Sequence, residues 1–360
     1  MTATVAVIGG GYGGINAAKA LDEVAEVVLV EPRDRFVHNV AALRGVADPA
    51  WAERIFFPYD RLLRRGRVVR DRAVRVDAGG VTLGSGDRIA ADYIVLATGS
   101  AYPFPAKIDV EDSAGAKNKI RAAHAELARA DTVLLLGAGP VGLELAGEIK
   151  AAWAHKTVTI LDPADDILAG RFPAEFRAEL RRQLDALGVE LVLGASLSAG
   201  PPTAPGVAAP FAVTTGAGRR IEAGIWFRCF GVEPATGYLA GDLATARRGD
   251  GHLEVTAELR LPGQERVFAI GDITAIPEAK MAKAAGLHAE VVAANIRTLI
   301  EGGGPLTAYE PGPPSIALPL GPKGGASYVP GKGVLDAETT SQVKGTDLRV
   351  DSYVELFGLG

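Results

Sequence analysis

Two stretches of this sequence place three glycines at G-x-G-x-x-G spacing: Gly9, Gly11 and Gly14 in VIGGGYGG, and Gly137, Gly139 and Gly142 in LLLGAGPVGLE. In such a turn the first glycine bends the chain sharply. The second lets backbone approach a pyrophosphate, and the third lets helix and strand pack closely. The free N–H groups and the dipole at the following helix start favour the negative charge. Each turn is followed, at the end of the next apolar run, by a carboxylate that can accept hydrogen bonds from ribose hydroxyls: Glu31 after the first and Asp162 after the second. One Gly-rich strand-to-helix turn is often no more than a turn. Two, each with a carboxylate in place, predict two dinucleotide sites.

The elements that must position these residues follow from the hydrophobic pattern. The run 4–11 reads as a buried parallel strand ending in a glycine turn, 13–24 has helical spacing, and EVVLVEP (26–32) is a second buried strand. ADYIVLATGS (91–100) is a further strand, and 114–131 reads as a helix leading into a second unit. That unit repeats the plan: strand, glycine turn and helix over 132–153, a strand from 156, a helix stopped by Gly188, and strands near 189–194 and 223–234. RVFAIGDIT (266–274) returns to the first unit and a long helix over 278–303 follows. The tail from Pro305, with SIALPLG, GASYVPG and VDSYVELFG, reads as short strands and turns. The expected fold class is α/β, with two Rossmann-like dinucleotide-binding domains, one inserted in the other, and a small C-terminal α+β domain. The expected boundaries are 1–113 and 246–305 for the outer domain, 114–245 for the inserted one and 306–360 for the last.

A third feature carries a resemblance. The strand before the inserted unit ends in Ala97-Thr98-Gly99, and the strand after it ends in Gly271-Asp272. This layout resembles the two-dinucleotide-binding-domain flavoproteins of the glutathione-reductase-like superfamily. The resemblance implies FAD on Gly9, Gly11, Gly14, Glu31, Thr98 and Gly99, with Asp272 reaching the ribityl or pyrophosphate region. It also implies NADH or NADPH on Gly137, Gly139, Gly142 and Asp162. FVHNVAALR (36–44) and KMAKAAGLHAEVVAANI (280–296) are, more closely, similar to the ferroptosis suppressor protein family, also called apoptosis-inducing factor mitochondria-associated 2-like flavoproteins. That family implies FAD, NAD(P)H and reduction of a small-molecule quinone such as ubiquinone or menaquinone. It also implies a role near the nicotinamide and flavin N5 for Glu144, against the alternative of a solvated helix-start acid. Lys344, in TSQVKGTDL, would border the acceptor cavity or else be an exposed lysine. The helix starting near Lys280 is expected to aim its N-terminus at the flavin, through Lys280 and the backbone of Met281 and Ala282, where its dipole eases reduction. The chain departs from the pattern at Thr2, where myristoylation requires glycine, and at Arg228-Cys229-Phe230-Gly231, where many superfamily members have a threonine before the glycine.

Composition narrows the chemistry. Of 360 residues, one is a cysteine, Cys229, so neither a disulfide nor a dithiol relay can form within the chain. In the superfamily's disulfide reductases, a cysteine pair faces the flavin at about Val40 to Gly45. Here that stretch and its border hold Asn39, Ala42 and Arg44. Electrons must therefore leave the flavin directly, for a small acceptor or a protein partner. His38 and Asn39 become candidates to line the flavin or acceptor cavity, or else they pin the helix. Arg44 reads as an ion-pair or phosphate-facing residue. Five dispersed histidines argue against a metal site, and a net charge of −5 argues against a nucleic-acid-binding, apoptosis-inducing-factor-like sensor. A ferredoxin or rubredoxin reductase is the rival enzyme, with Arg61, Arg64, Arg65, Arg67, Arg70 and Arg72 as its docking face. No basic leader and no membrane-length apolar run are evident. The expectation is a cytoplasmic protein, with peripheral membrane contact and a homodimer through the tail as open alternatives.

Overall fold

The computed structural model describes residues 2–360 and is built on two parallel sheets. In the first, the strand order is Val267–Ala269, Tyr93–Leu96, Thr4–Ile8, Glu26–Val30, Arg67–Val69. All neighbours run parallel, as buried Val/Ile/Leu runs covered on both faces require. In the second, the order is Val189–Val192, Thr157–Leu161, Thr132–Leu136, Ile225–Arg228, again all parallel. Each sheet has its first strand beside the end of its glycine turn, with the helices Tyr12–Leu21 and Pro140–Ala152 following. The chain passes between the two halves twice. Where it does, Ser100–Ala101 and Glu233–Pro234 pair antiparallel, binding the exits together.

The first sheet also receives the helix Ala282–Ile300, which packs along Tyr12–Leu21. The tail forms an antiparallel sheet of Ile316–Leu320, Gly324–Val329 and Gly333–Leu335. One expectation fails here. VDSYVELFG is not a strand but a helix, Val350–Leu356, preceded by Leu348 and Arg349 in the left-handed region. Its Val350, Tyr353, Val354 and Phe357 recur at three- and four-residue intervals, a helical stripe that the short apolar alternation concealed. Phe357 is fully buried, against Phe36, Phe57 and Tyr59. The strand Ile316–Leu320 lies across the helix Pro140–Ala152 so closely that a Cβ on Gly147 would overlap the backbone of Leu320. The tail is thus packed on both dinucleotide-binding halves.

Candidate functional site

The two glycine turns have nearly the same geometry. Gly9 has φ +102° and Gly137 φ +117°, conformations that L side chains rarely adopt. A Cβ on Gly14 would overlap the Gly9 carbonyl, and one on Gly142 the Gly137 carbonyl. Gly11 and Gly139 differ. Both are extended (φ −77°), and a Cβ on either meets no atom within 4 Å. Nothing in the polypeptide requires glycine there, whereas a phosphate drawn close to the helix N-terminus does. Both turns therefore fit a dinucleotide.

The two carboxylates repeat one arrangement. Glu31 accepts Gly10 N–H through Oε2 (2.7 Å) and Arg33 N–H through Oε1 (3.0 Å). Asp162 accepts Ala138 N–H through Oδ2 (2.6 Å) and Ala164 N–H through Oδ1 (2.8 Å). Each acid clamps the middle of its own glycine turn. A carboxylate oxygen has two lone pairs, so each retains capacity for a ribose hydroxyl.

The other expected cofactor residues gather at the carboxyl ends of the first sheet. Thr98 Oγ1 donates to the Ala235 carbonyl (2.7 Å) and lies 3.0 Å from Tyr238 Oη. Asp272 Oδ2 accepts from Ser100 Oγ (2.6 Å) and Lys107 Nζ (2.9 Å). Burial alone would raise the Asp272 carboxyl; the Lys107 ammonium and the Ser100 hydroxyl outweigh it and hold it below the ordinary carboxylate range. The helix expected near Lys280 begins at Ala282 with Met281 as its N-cap. The Lys280 ammonium turns back to the Thr274 and Ile276 carbonyls (2.7 and 2.9 Å), fixing the loop before the helix. Burial lowers its pKa from the usual lysine value. Two residues here escaped the sequence reading. Lys107 lies in a connecting segment without periodicity. Buried His288 accepts Gly271 N–H through Nδ1 (3.0 Å) and contacts Glu278 through Nε2 (2.7 Å). A histidine on the apolar side of a helix carries no signal of such a partner.

On the tail side, His38 is 1% exposed. Its Nε2 lies 2.7 Å from the Leu348 carbonyl, which can only accept, so Nδ1 accepts from Tyr12 Oη (3.1 Å). Burial lowers its pKa to about 4, so it is neutral at pH 7. Asn39 Oδ1 accepts Ile108 N–H (3.0 Å). Arg44 and Glu148 form a buried bidentate pair (Nε–Oε2 2.9 Å, Nη2–Oε1 2.7 Å), and Arg44 Nη1 also donates to the Thr346 carbonyl. Burial raises the Glu148 carboxyl, with Arg44 opposing. One helical turn earlier, Glu144 Oε1 accepts from Lys344 Nζ (2.7 Å), with both side chains largely buried. Lys344 is therefore neither free nor exposed. Cys229 is buried, and burial pushes its thiol up to about 12.

Two parallel nucleotide-binding sheets, one within the other and each with a glycine turn and acid clamp, define a two-dinucleotide oxidoreductase. The chain belongs to the pyridine nucleotide-disulphide oxidoreductase family, whose model matches residues 3–289. Membership makes it an oxidoreductase that works with FAD and a nicotinamide nucleotide. It is 32% identical over 334 residues to ferroptosis suppressor protein 1 of Taeniopygia guttata, covering 91% of this chain and 88% of that protein. It is 28% identical to apoptosis-inducing factor homolog B of Dictyostelium discoideum, covering 97% and 95%. Among solved structures, the sulfide:quinone oxidoreductase of Aquifex aeolicus matches with a TM-score of 0.76 at 17% identity, covering 99% of this chain and 91% of that one. A ferredoxin reductase of Rhodopseudomonas palustris matches at 0.67 and 19%, covering 85% and 78%. At these identities the two structures speak to the fold. Among the described residues, no helix is long and apolar enough to cross a membrane.

Proposed function

We propose that the chain is an FAD-dependent NAD(P)H:quinone oxidoreductase that uses no thiol. The observation that carries this is the filling of the segment where disulfide reductases keep a cysteine pair. Asn39 and Arg44 stand there, both committed to hydrogen bonds within the protein, and the one cysteine is buried elsewhere. No group on the chain can take up an electron pair, so the acceptor must come to the flavin. The likeness to ferroptosis suppressor proteins supports a quinone such as ubiquinone or menaquinone as that acceptor.

When bound, FAD would supply two-electron chemistry between a nicotinamide nucleotide and a quinone. The chain's part is to hold and orient. Gly9, Gly11, Gly14, Glu31, Thr98, Gly99 and Asp272, with the helix start at Met281 and Ala282, hold FAD. Gly137, Gly139, Gly142 and Asp162 hold the nicotinamide nucleotide. Lys344 neutralises Glu144 and fixes its rotamer, leaving the other carboxylate oxygen to orient the carboxamide. We assign NADH as the preferred donor, because Asp162 repels a 2′-phosphate and the nearby Arg177 and Arg181 are already paired with Asp166. The domain boundaries proposed are 113/114, 245/246 and 305/306. The tail walls the acceptor side, where peripheral membrane contact and a homodimer also belong to this reading.

The rival reading, a ferredoxin or rubredoxin reductase, needs a free basic face. Arg67 and Arg72 are paired with Glu26 and Glu111. Arg61 and Arg65 donate to the Gly358 and Glu23 carbonyls. Of the six, Arg64 and Arg70 are left without a side-chain partner among the described residues. The deciding experiment is steady-state NADH oxidation by the purified protein, with a panel of quinones set against iron–sulfur proteins. Turnover with iron–sulfur proteins and none with any quinone would overturn the proposal.

A further inference from the structure

We infer that Lys107 is the positioning residue that presents Asp272 to FAD. The inference rests on the family's use of FAD and is independent of the acceptor. Two neighbouring strands of the first sheet, Tyr93–Leu96 and Val267–Ala269, end at the carboxyl edge where such sheets bind ligands. Beyond the first lies Ser100, and beyond the second Asp272. Lys107 bridges them. Its ammonium donates to the Ser100 carbonyl (2.9 Å), the Ser100 hydroxyl (2.7 Å) and Asp272 Oδ2 (2.9 Å). An ammonium has three N–H donors, and all three are used within the protein. Lys107 therefore acts through Asp272 and not on a ligand.

The consequence falls on the carboxylate. Asp272 Oδ2 receives two donors, from Lys107 and Ser100, while Oδ1 has no protein partner among the described residues. With one oxygen fixed, the plane of the carboxylate is fixed, and the other is left as the acceptor for a cofactor hydroxyl. The segment carrying Lys107 is itself held, since Asn39 Oδ1 accepts the N–H of the next residue, Ile108. An ordinary surface ion pair would contribute little. This one is largely buried, with side-chain exposures of 29% for Lys107 and 20% for Asp272, and sits where the superfamily resemblance places FAD. The other ionisable groups whose charges bear on Asp272 are Lys280, His288 and Tyr12. Of these, only Lys280 is a cation at neutral pH, and it makes no hydrogen bond to Asp272. Without Lys107, burial is opposed mainly by Ser100, so the carboxyl moves up toward the weakly acidic range.

The test is reconstitution of apoprotein with FAD, followed by flavin fluorescence from pH 5 to 8, for wild type, Lys107→Met, Lys107→Arg and Lys107→Met in an Asp272→Asn background. Loading of the wild type is the control for the family reading. Lys107→Met is expected to weaken FAD binding roughly tenfold to a hundredfold, the scale of a charge-assisted hydrogen bond. The loss should deepen as pH falls toward 5 and Asp272 takes up a proton. Lys107→Arg should restore most of the affinity. In the Asp272→Asn background, Lys107→Met should add little. The inference is overturned by wild-type affinity in Lys107→Met, by a loss that is independent of pH, or by a full additive loss in the double variant. Should Lys107→Met fail to fold, Ser100→Ala, which removes the other donor to Oδ2, must show the same pH-dependent weakening, and its absence overturns the inference equally.

Discussion

A single glycine is the sharpest test of the first site. Because a Cβ on Gly11 meets no atom within 4 Å among the described residues, Gly11→Val should fold and yet fail to retain FAD. Gly14→Val should not fold, because its Cβ overlaps the Gly9 carbonyl. Absorbance at flavin wavelengths against circular dichroism separates the two, and a yellow, folded Gly11→Val would remove the pyrophosphate from that turn. At the second site, the proposed reading makes Asp162 the residue that selects the donor. Unpaired like charges in a partly desolvated pocket cost about 1–3 kcal/mol, so kcat/KM should favour NADH over NADPH roughly tenfold to a hundredfold. Asp162→Ser should narrow the ratio. Arg171 is exposed and forms no ion pair among the described residues, so Arg171→Ala should widen it. Equal kcat/KM for the two nucleotides in the wild type at low salt would refute the assignment.

At the scale of elements, the strand–turn–helix units were legible because each is local. An apolar run, glycines at fixed offsets and a 3.6-residue period lie within thirty residues or so. The bonds that join elements were not. Arg44 and Glu148 are 104 positions apart, and Lys107 and Asp272 are 165 apart; no spacing rule links either pair. The tail helix was misread because seven residues give an apolar alternation and a helical stripe almost equal support. Arg44 and Glu148 lock the helix Pro140–Ala152 to the segment Ala42–Ala47. Removing one partner of a buried pair typically costs about 3–5 kcal/mol, so Arg44→Met should lose about that much in urea unfolding. Arg44→Met with Glu148→Leu should regain most of it. Burial already raises Glu148, and without Arg44 it rises further. A raised carboxyl loses its contribution as pH climbs through the folded-state value. The Arg44→Met deficit should thus be smallest in acid and grow toward neutrality.

For the molecule as a whole, the tail is the common tie. Within five residues, Lys344 bonds Glu144, Thr346 bonds Arg44 and Leu348 bonds His38. The first bond reaches the inserted half and the others the outer half. His38 makes this closure sensitive to acid. Its pKa falls from 6.5 to about 4 on folding, so the folded state resists a proton that the unfolded chain accepts. Stability is undiminished above the unfolded value and is lost as pH falls toward the folded one. The full difference is on the order of 3 kcal/mol. His38→Gln should flatten the decline between pH 6.5 and 4 in thermal unfolding; an unchanged slope would show that other groups set it.

The deeply buried Cys229 has a practical corollary. With its thiol pushed up to about 12, Cys229 carries almost no thiolate at pH 7, and it is the thiolate that attacks alkylating reagents. Turnover should survive prolonged iodoacetamide or N-ethylmaleimide without loss. Flavoenzymes that relay electrons through a reduced cysteine pair are inactivated by the same treatment. The protein could therefore be assayed in a crude extract whose thiol-dependent reductases have been chemically silenced. Inactivation within minutes would mean that Cys229 is reached in the working enzyme.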